Sequence, residues 1–142
     1  MLKGVSKIVS PELLKILAEM GHGDEIVIAD ANFPSVTNGQ RVVRADGIGG
    51  AEMLEAVLSL IPLDVYSDPN MMFMALSACD VGKVDPVIWK DYERIAKEKD
   101  ETVRIGQIER YEFYDRAKNA FAVIATGESA IYANIIIKKG VI

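Results

Sequence analysis

The chain contains a single histidine, His22, set between two glycines in Met20-Gly21-His22-Gly23-Asp24-Glu25. An imidazole, with an unperturbed pKa of about 6.5, can give or take a proton near neutral pH, so it is well suited to general acid/base work. The flanking glycines have no side chains to shield the ring. Four apolar residues follow, Ile26-Val27-Ile28-Ala29, and then Asp30-Ala31-Asn32-Phe33-Pro34. An aspartate where an apolar run gives out is either a turn former or an acceptor for ligand hydroxyls. Asp24 and Glu25 read as solvated charges at the mouth of the run. His22 and Asp30 are therefore the first candidates, one to move protons and one to hold a polar ligand.

Other chemistries find less support. Gly47-Ile48-Gly49-Gly50 sits between a strand-like and a helix-like segment, as a phosphate loop would. The third glycine of such a loop is missing, however, and Glu52 would repel a phosphate. No Walker lysine follows, so the stretch reads as a plain turn into a helix. Cys79 has no histidine near it in sequence, and one cysteine with one histidine cannot make a Cys/His zinc site. Met71, Met72 and Met74 read as core or interface filler. Tyr132-Ala133-Asn134 brings a phenol, a small residue and an amide to the start of a strand, a weak signal by itself.

The elements that must position these groups alternate along the chain. Ser10-Pro11-Glu12 starts a helix with a capping hydroxyl, a first-turn proline and a first-turn acid, and Leu13, Leu14, Leu17 and Met20 form its apolar stripe. Gly21 stops it, which places His22 at the negative end of the helix, where the protonated ring is favoured. Ile26 to Asp30 reads as a strand, Gln40 to Asp46 as a second, and Ala51 to Leu60 as an amphipathic helix closed by Pro62. Leu63 to Tyr66 reads as a short strand and Met71 to Leu76 as a buried one. Asp85-Pro86 opens an outer-layer helix running to about Glu98, Val103 to Ile105 reads as a strand, and Arg110 to Asn119 as a helix. Phe121 to Thr126 and Asn134 to Lys138 are strand-like and suggest a hairpin or tight return. The pattern predicts an α/β fold, a layered single domain over residues 1–142 with a mixed β-sheet flanked by helices.

Composition narrows the functional classes. Half of the 142 residues are apolar, a rich load for a small monomer, and this points to a homo-oligomer. A net charge of −5 argues against nucleic acid and anionic membrane as partners. No apolar run approaches the roughly 18 residues of a membrane helix, and Met1-Leu2-Lys3-Gly4 lacks the apolar centre of a signal peptide. With one cysteine excluding an internal disulfide, the expected location is cytoplasmic.

Several motifs together resemble the ribose pyranase/fucose mutarotase family. They are Leu2-Lys3-Gly4, Ser10-Pro11-Glu12-Leu13-Leu14, Met20 to Glu25, Asp30 to Pro34 and Arg44-Ala45-Asp46-Gly47. The likeness continues through Phe113-Tyr114-Asp115-Arg116-Ala117, Thr126-Gly127-Glu128, Tyr132-Ala133-Asn134 and Lys138-Lys139-Gly140-Val141, nearly the full length. The resemblance implies interconversion of the cyclic forms of a free monosaccharide, without cofactor or metal. It implies that His22 is the acid/base residue, and that Asp30, Arg110, Tyr132, Ala133 and Asn134 bind the sugar. It also implies a decamer of two pentamers, with sites near subunit boundaries. Arg110 and Asn32-Phe33-Pro34 resemble the fucose branch, whereas Ala133 matches the ribose branch. Two other functions fit parts of the sequence: a non-catalytic sugar-binding accessory protein of a transport or catabolic operon, and a nucleotide-binding regulatory subunit built on Gly47 to Gly50.

Overall fold

The computed structural model describes residues 1–142. Its element order is α1 (Pro11–Glu19), β1 (Glu25–Ala29), α2 (Ser35–Asn38), β2 (Val42–Ala45), α3 (Gly50–Leu58) and β3 (Met71–Met74). Then follow α4 (Ile88–Lys99), β4 (Ile105–Ile108), α5 (Arg110–Asn119), β5 (Ala122–Thr126) and β6 (Ile135–Lys138). The six strands form one sheet in the order β2-β5-β1-β6-β3-β4. β6 runs antiparallel to both its neighbours, and every other pairing is parallel. The mixed, helix-flanked sheet expected from the sequence is therefore present.

Residue alternation explains the layers. In β1, Ile26 and Ile28 join the larger core with Leu13, Leu17, Met53, Leu54, Phe73 and Tyr92. Val27 and Ala29 point to the opposite face and pack with Phe33, Phe113, Ala117 and Ile136. Both faces are buried, so the strand reads as a continuous apolar run and not as alternating polarity. α1 starts as its sequence implies, with the Ser10 hydroxyl accepting from the Leu13 N–H at 3.1 Å. α5 is capped by Glu109, whose carboxylate accepts from the N–H groups of Tyr111 and Glu112.

Four local expectations are corrected. The last two strands do not form a hairpin: β1 lies between them, pairing parallel with β5 and antiparallel with β6. The connection from Gly127 to Asn134 must therefore pass over the end of β1. Leu63 to Tyr66 makes only a single bridge, Leu63 to Lys139, and otherwise turns around the Asp64 side chain. The fourth strand lies at Ile105–Ile108, later than Val103 to Ile105. The helix expected from Asp85-Pro86 begins at Ile88, because a turn with no side-chain cap precedes it.

The connection over β1 is tightly packed. A Cβ on Gly127 would stand 1.9 Å from the Asp46 carbonyl oxygen, a backbone atom that cannot rotate away. Gly127→Ala is expected to destabilise the fold by roughly 1–3 kcal/mol, the usual range for overpacking. Urea unfolding checks this, and a variant as stable as the parent would contradict the packing described.

Candidate functional site at the C-terminal edge of the sheet

Five strands run parallel, so their C-terminal ends share one edge, where open α/β sheets bind ligands. A cleft of about 200 Å³ opens there, lined by Asp30, Arg110, Tyr132 and Asn134 together with Phe33, Met74, Ser77 and Tyr114. Sites for drug-sized ligands begin near roughly 300 Å³, so the cleft suits something smaller. Four of the sequence-predicted residues thus meet in one place.

Asp30 follows β1 directly and is buried. Its N–H donates to Asn134 Oδ1 at 2.8 Å, and Asn134 Nδ2 donates back to Asp30 Oδ2 at 2.9 Å. Asp30 Oδ1 accepts from the Asn32 N–H at 2.9 Å. Burial pushes the carboxyl pKa up, and the surrounding amide donors only partly offset this. Ala133 is buried beneath the cleft and does not line it. Its carbonyl accepts from the Tyr92 hydroxyl at 3.0 Å, so its part is played by the backbone.

Tyr132 has a positive φ of 58°, an uncommon conformation for an aromatic residue. The Trp89 indole N–H donates to its carbonyl at 2.8 Å and helps to hold it there. The phenol accepts from the Ser77 N–H at 3.1 Å and donates to Asp80. Arg110 opens α5, and its Nε donates to the Tyr114 hydroxyl at 3.0 Å, which pushes its already high pKa higher. The remainder of the guanidinium is exposed towards the cleft mouth.

His22 is elsewhere. Gly23 has φ +85° and its N–H donates to the Lys139 carbonyl, while Asp24 accepts from the Gly21 N–H at 2.8 Å. This tight turn holds His22 at the opposite end of β1 from Asp30, roughly 20 Å away at about 3.3 Å per extended residue. At the end of α1 the Leu17 and Met20 carbonyls accept from the Lys139 ammonium. The partner of His22 is Asp64, with Nε2 3.1 Å from Oδ1.

The sequence does not single out Asp64 as a partner of His22. Its side chain is only 3% exposed, against 46% for His22. The Ser67 hydroxyl donates to it at 2.6 Å, and this bond, with smaller contributions from His22 and the Tyr66 N–H, outweighs burial and lowers its pKa to about 2. An ionised Asp64 can only accept, so Nε2 carries the hydrogen and Nδ1 is left available for proton exchange. The sole sequence signal was an isolated acid between apolar residues in Leu63-Asp64-Val65. Asp80, Ser77 and Trp89 gave no comparable signal.

The glycine turn is settled as well. Glu128 accepts from the Gly50 N–H at 3.0 Å and from the Ala130 N–H at 2.9 Å, so a carboxylate already occupies the start of α3. A phosphate there would meet that negative charge, which rules against the nucleotide reading.

Residues 3–142 match the family model described as the RbsD / FucU transport protein family. The chain belongs to the RbsD/FucU family. Among its relatives, the fucose mutarotase of Mus musculus is 52% identical, over 98% of this chain and 94% of that one. The crystal structure of the Streptococcus pneumoniae fucose mutarotase in complex with L-fucose superposes with a TM-score of 0.92. It is 45% identical and covers 99% of each chain. Bacillus subtilis RbsD complexed with D-ribose is more distant, at 26% identity and a TM-score of 0.76, covering 100% of this chain and 99% of that one. Within the RbsD/FucU family this chain therefore stands nearer to these two fucose mutarotases than to the RbsD complexed with D-ribose. No helix is long and apolar enough to cross a membrane.

The Asp64 pairing carries a pH signature. Its folded pKa is depressed, so its contribution to stability is complete above pH 3.8 and is lost as pH falls towards about 2. Asp64→Asn should therefore be less stable than the parent at pH 5, and the gap should narrow steadily down to pH 2. Denaturant titrations across that range test it, and a gap independent of pH would contradict the pairing.

Proposed function

We propose that the chain is a cofactor-independent mutarotase for a free monosaccharide, L-fucose first, and that it works as a homo-oligomer. One observation carries the second half of this reading. The cleft has acceptors and donors for sugar hydroxyls but no imidazole, and the only histidine of the chain lies at the other edge of the sheet. A second copy of the chain is the one source of an imidazole for the cleft. The surface around His22 suits such a contact, with Tyr66 77% exposed beside the ring and Val65 also exposed. Ile131 and Tyr111, flanking the cleft residues, are exposed too. The family resemblance favours two pentamers stacked as a decamer, and the exposed free Cys79 is consistent with a cytoplasmic location.

The mechanism follows from the chemistry of ring opening. A proton must reach the ring oxygen and another must leave the anomeric hydroxyl; closure on the other carbonyl face gives the second anomer. His22, held through Nε2 by Asp64, exchanges these protons at Nδ1. Asp30 accepts from sugar hydroxyls, Arg110 donates to sugar oxygens, and Asn134 keeps Asp30 oriented. Sugars mutarotate unaided in water, so the barrier is low, and one acid/base residue supplying roughly 10²- to 10⁴-fold is enough with positioning added.

His22→Ala should abolish most anomer exchange in saturation-difference NMR, by about 10²-fold or more, while L-fucose binding survives. Saturable binding in the parent with no acceleration of exchange would instead favour the non-catalytic accessory reading. A second experiment addresses the shared site. Inactive His22→Ala and inactive Asp30→Asn chains, unfolded together and reassembled, should regain part of the parental exchange rate. Failure to regain any activity, in mixed oligomers verified by mass spectrometry, would place acid/base group and cleft in separate sites.

A further inference from the structure

We propose that Asp80 is a positioning residue for the ligand cleft: it accepts the hydrogen bond of the Tyr132 hydroxyl and so fixes that phenol as a hydrogen-bond acceptor towards the sugar. The choice of sugar rests on the function proposed above; the pairing itself does not.

A phenol has one proton to donate and oxygen lone pairs to accept with. In Tyr132 the hydroxyl donates to Asp80, and one acceptor direction is filled by the Ser77 N–H at 3.1 Å. What is left for a ligand is acceptance alone. Tyr132 therefore complements Arg110, which can only donate, and a sugar hydroxyl placed against Tyr132 must point its hydrogen at the phenol. The same bonding commits the only hydrogen of the phenol to Asp80, so Tyr132 has none to donate to a ligand.

Asp80 is well held for this task. It lies in the connection between β3 and α4, where its N–H donates to the Ser77 carbonyl at 2.9 Å. Its own carbonyl accepts from the Lys83 and Val84 N–H groups at 3.0 Å each. Gly82, with φ +78°, closes the turn. The loop thus grips the phenol twice, through the Ser77 backbone and the Asp80 side chain. The Trp89 indole fixes the Tyr132 carbonyl from α4. No other acidic side chain hydrogen-bonds to the phenol.

The test is a thermodynamic cycle on L-fucose affinity by calorimetry, using Asp80→Ala, Tyr132→Phe and the double variant. A hydrogen bond involving a charged group is at stake, so each single change should weaken binding by roughly 10-fold or more, and the double variant should be no worse than Tyr132→Phe. Exchange at saturating fucose should fall less than affinity does. Unchanged affinity in Asp80→Ala, or losses that multiply in the double variant, would overturn the proposal. Should Asp80→Ala not fold, the near-isosteric Asp80→Asn answers by another route, ¹³C NMR of tyrosine-labelled protein without ligand. The Tyr132 Cζ resonance should move relative to the parent, and an unmoved resonance would overturn the pairing. Absence of fucose binding in the parent would count against the substrate, and the Cζ measurement would still decide the role of Asp80.

Discussion

The reciprocal hydrogen bonds between Asp30 and Asn134 fasten the ligand cleft. β5 ends and β6 begins at the same edge of the sheet, with β1 between them, so the chain from Gly127 to Asn134 has to step across the end of β1. A side-chain amide that both accepts from the Asp30 N–H and donates to the Asp30 carboxylate locks that crossing in place. It also satisfies a buried acid that would otherwise be costly. Burial still raises the Asp30 pKa, so the fastening is under electrostatic tension from desolvation, and oxygen lone pairs remain to meet a ligand.

The crossing explains why so many groups converge from distant parts of the chain. Tyr132 takes its left-handed backbone conformation where the connection turns back into β6, and side chains of α4 and the loop before it hold both ends of that residue. The Ala133 carbonyl is tied to Tyr92, whose phenol pKa is pushed up by burial and by the nearby Glu128 and Asp30 carboxylates. Glu128 in turn caps α3 through Gly50. A single connection thereby joins the cleft, the larger core and a helix start. Substitutions in it should couple to one another, because neighbours in one network are not additive.

Much of this was legible in the residues themselves. The run Ile26 to Ala29 announced a buried strand, Ser10-Pro11 a capped helix, and Asp30 the end of a strand worth attention. Periodicity is local, however, and says nothing about which strands become neighbours. The spacing of Phe121–Thr126 and Asn134–Lys138 suits a hairpin, and only the insertion of β1 between them, a tertiary choice, changes the reading. Asp64 was hidden for a similar reason: its importance comes from contact with a residue 42 positions away. The end of α1 also meets a partner that local pattern does not announce: Lys139, from the far end of the chain, donates to the Leu17 and Met20 carbonyls.

The separation of His22 from the cleft has a consequence for assembly. If each cleft takes its imidazole from another copy, the surface that gives and the surface that receives are different patches on one chain. Contacts between unlike patches are head-to-tail, and head-to-tail contacts either close into a ring or grow without limit. In an open chain of copies the terminal cleft lacks a histidine; in a closed ring every cleft has one. Closure would then be set by chemistry as well as by the burial of Tyr66 and its apolar neighbours. On that reading β1 acts as a rigid spacer: it fixes His22 and Asp30 relative to each other at its two ends, and repetition around a ring would bring the His22 end of one copy to the cleft of the next.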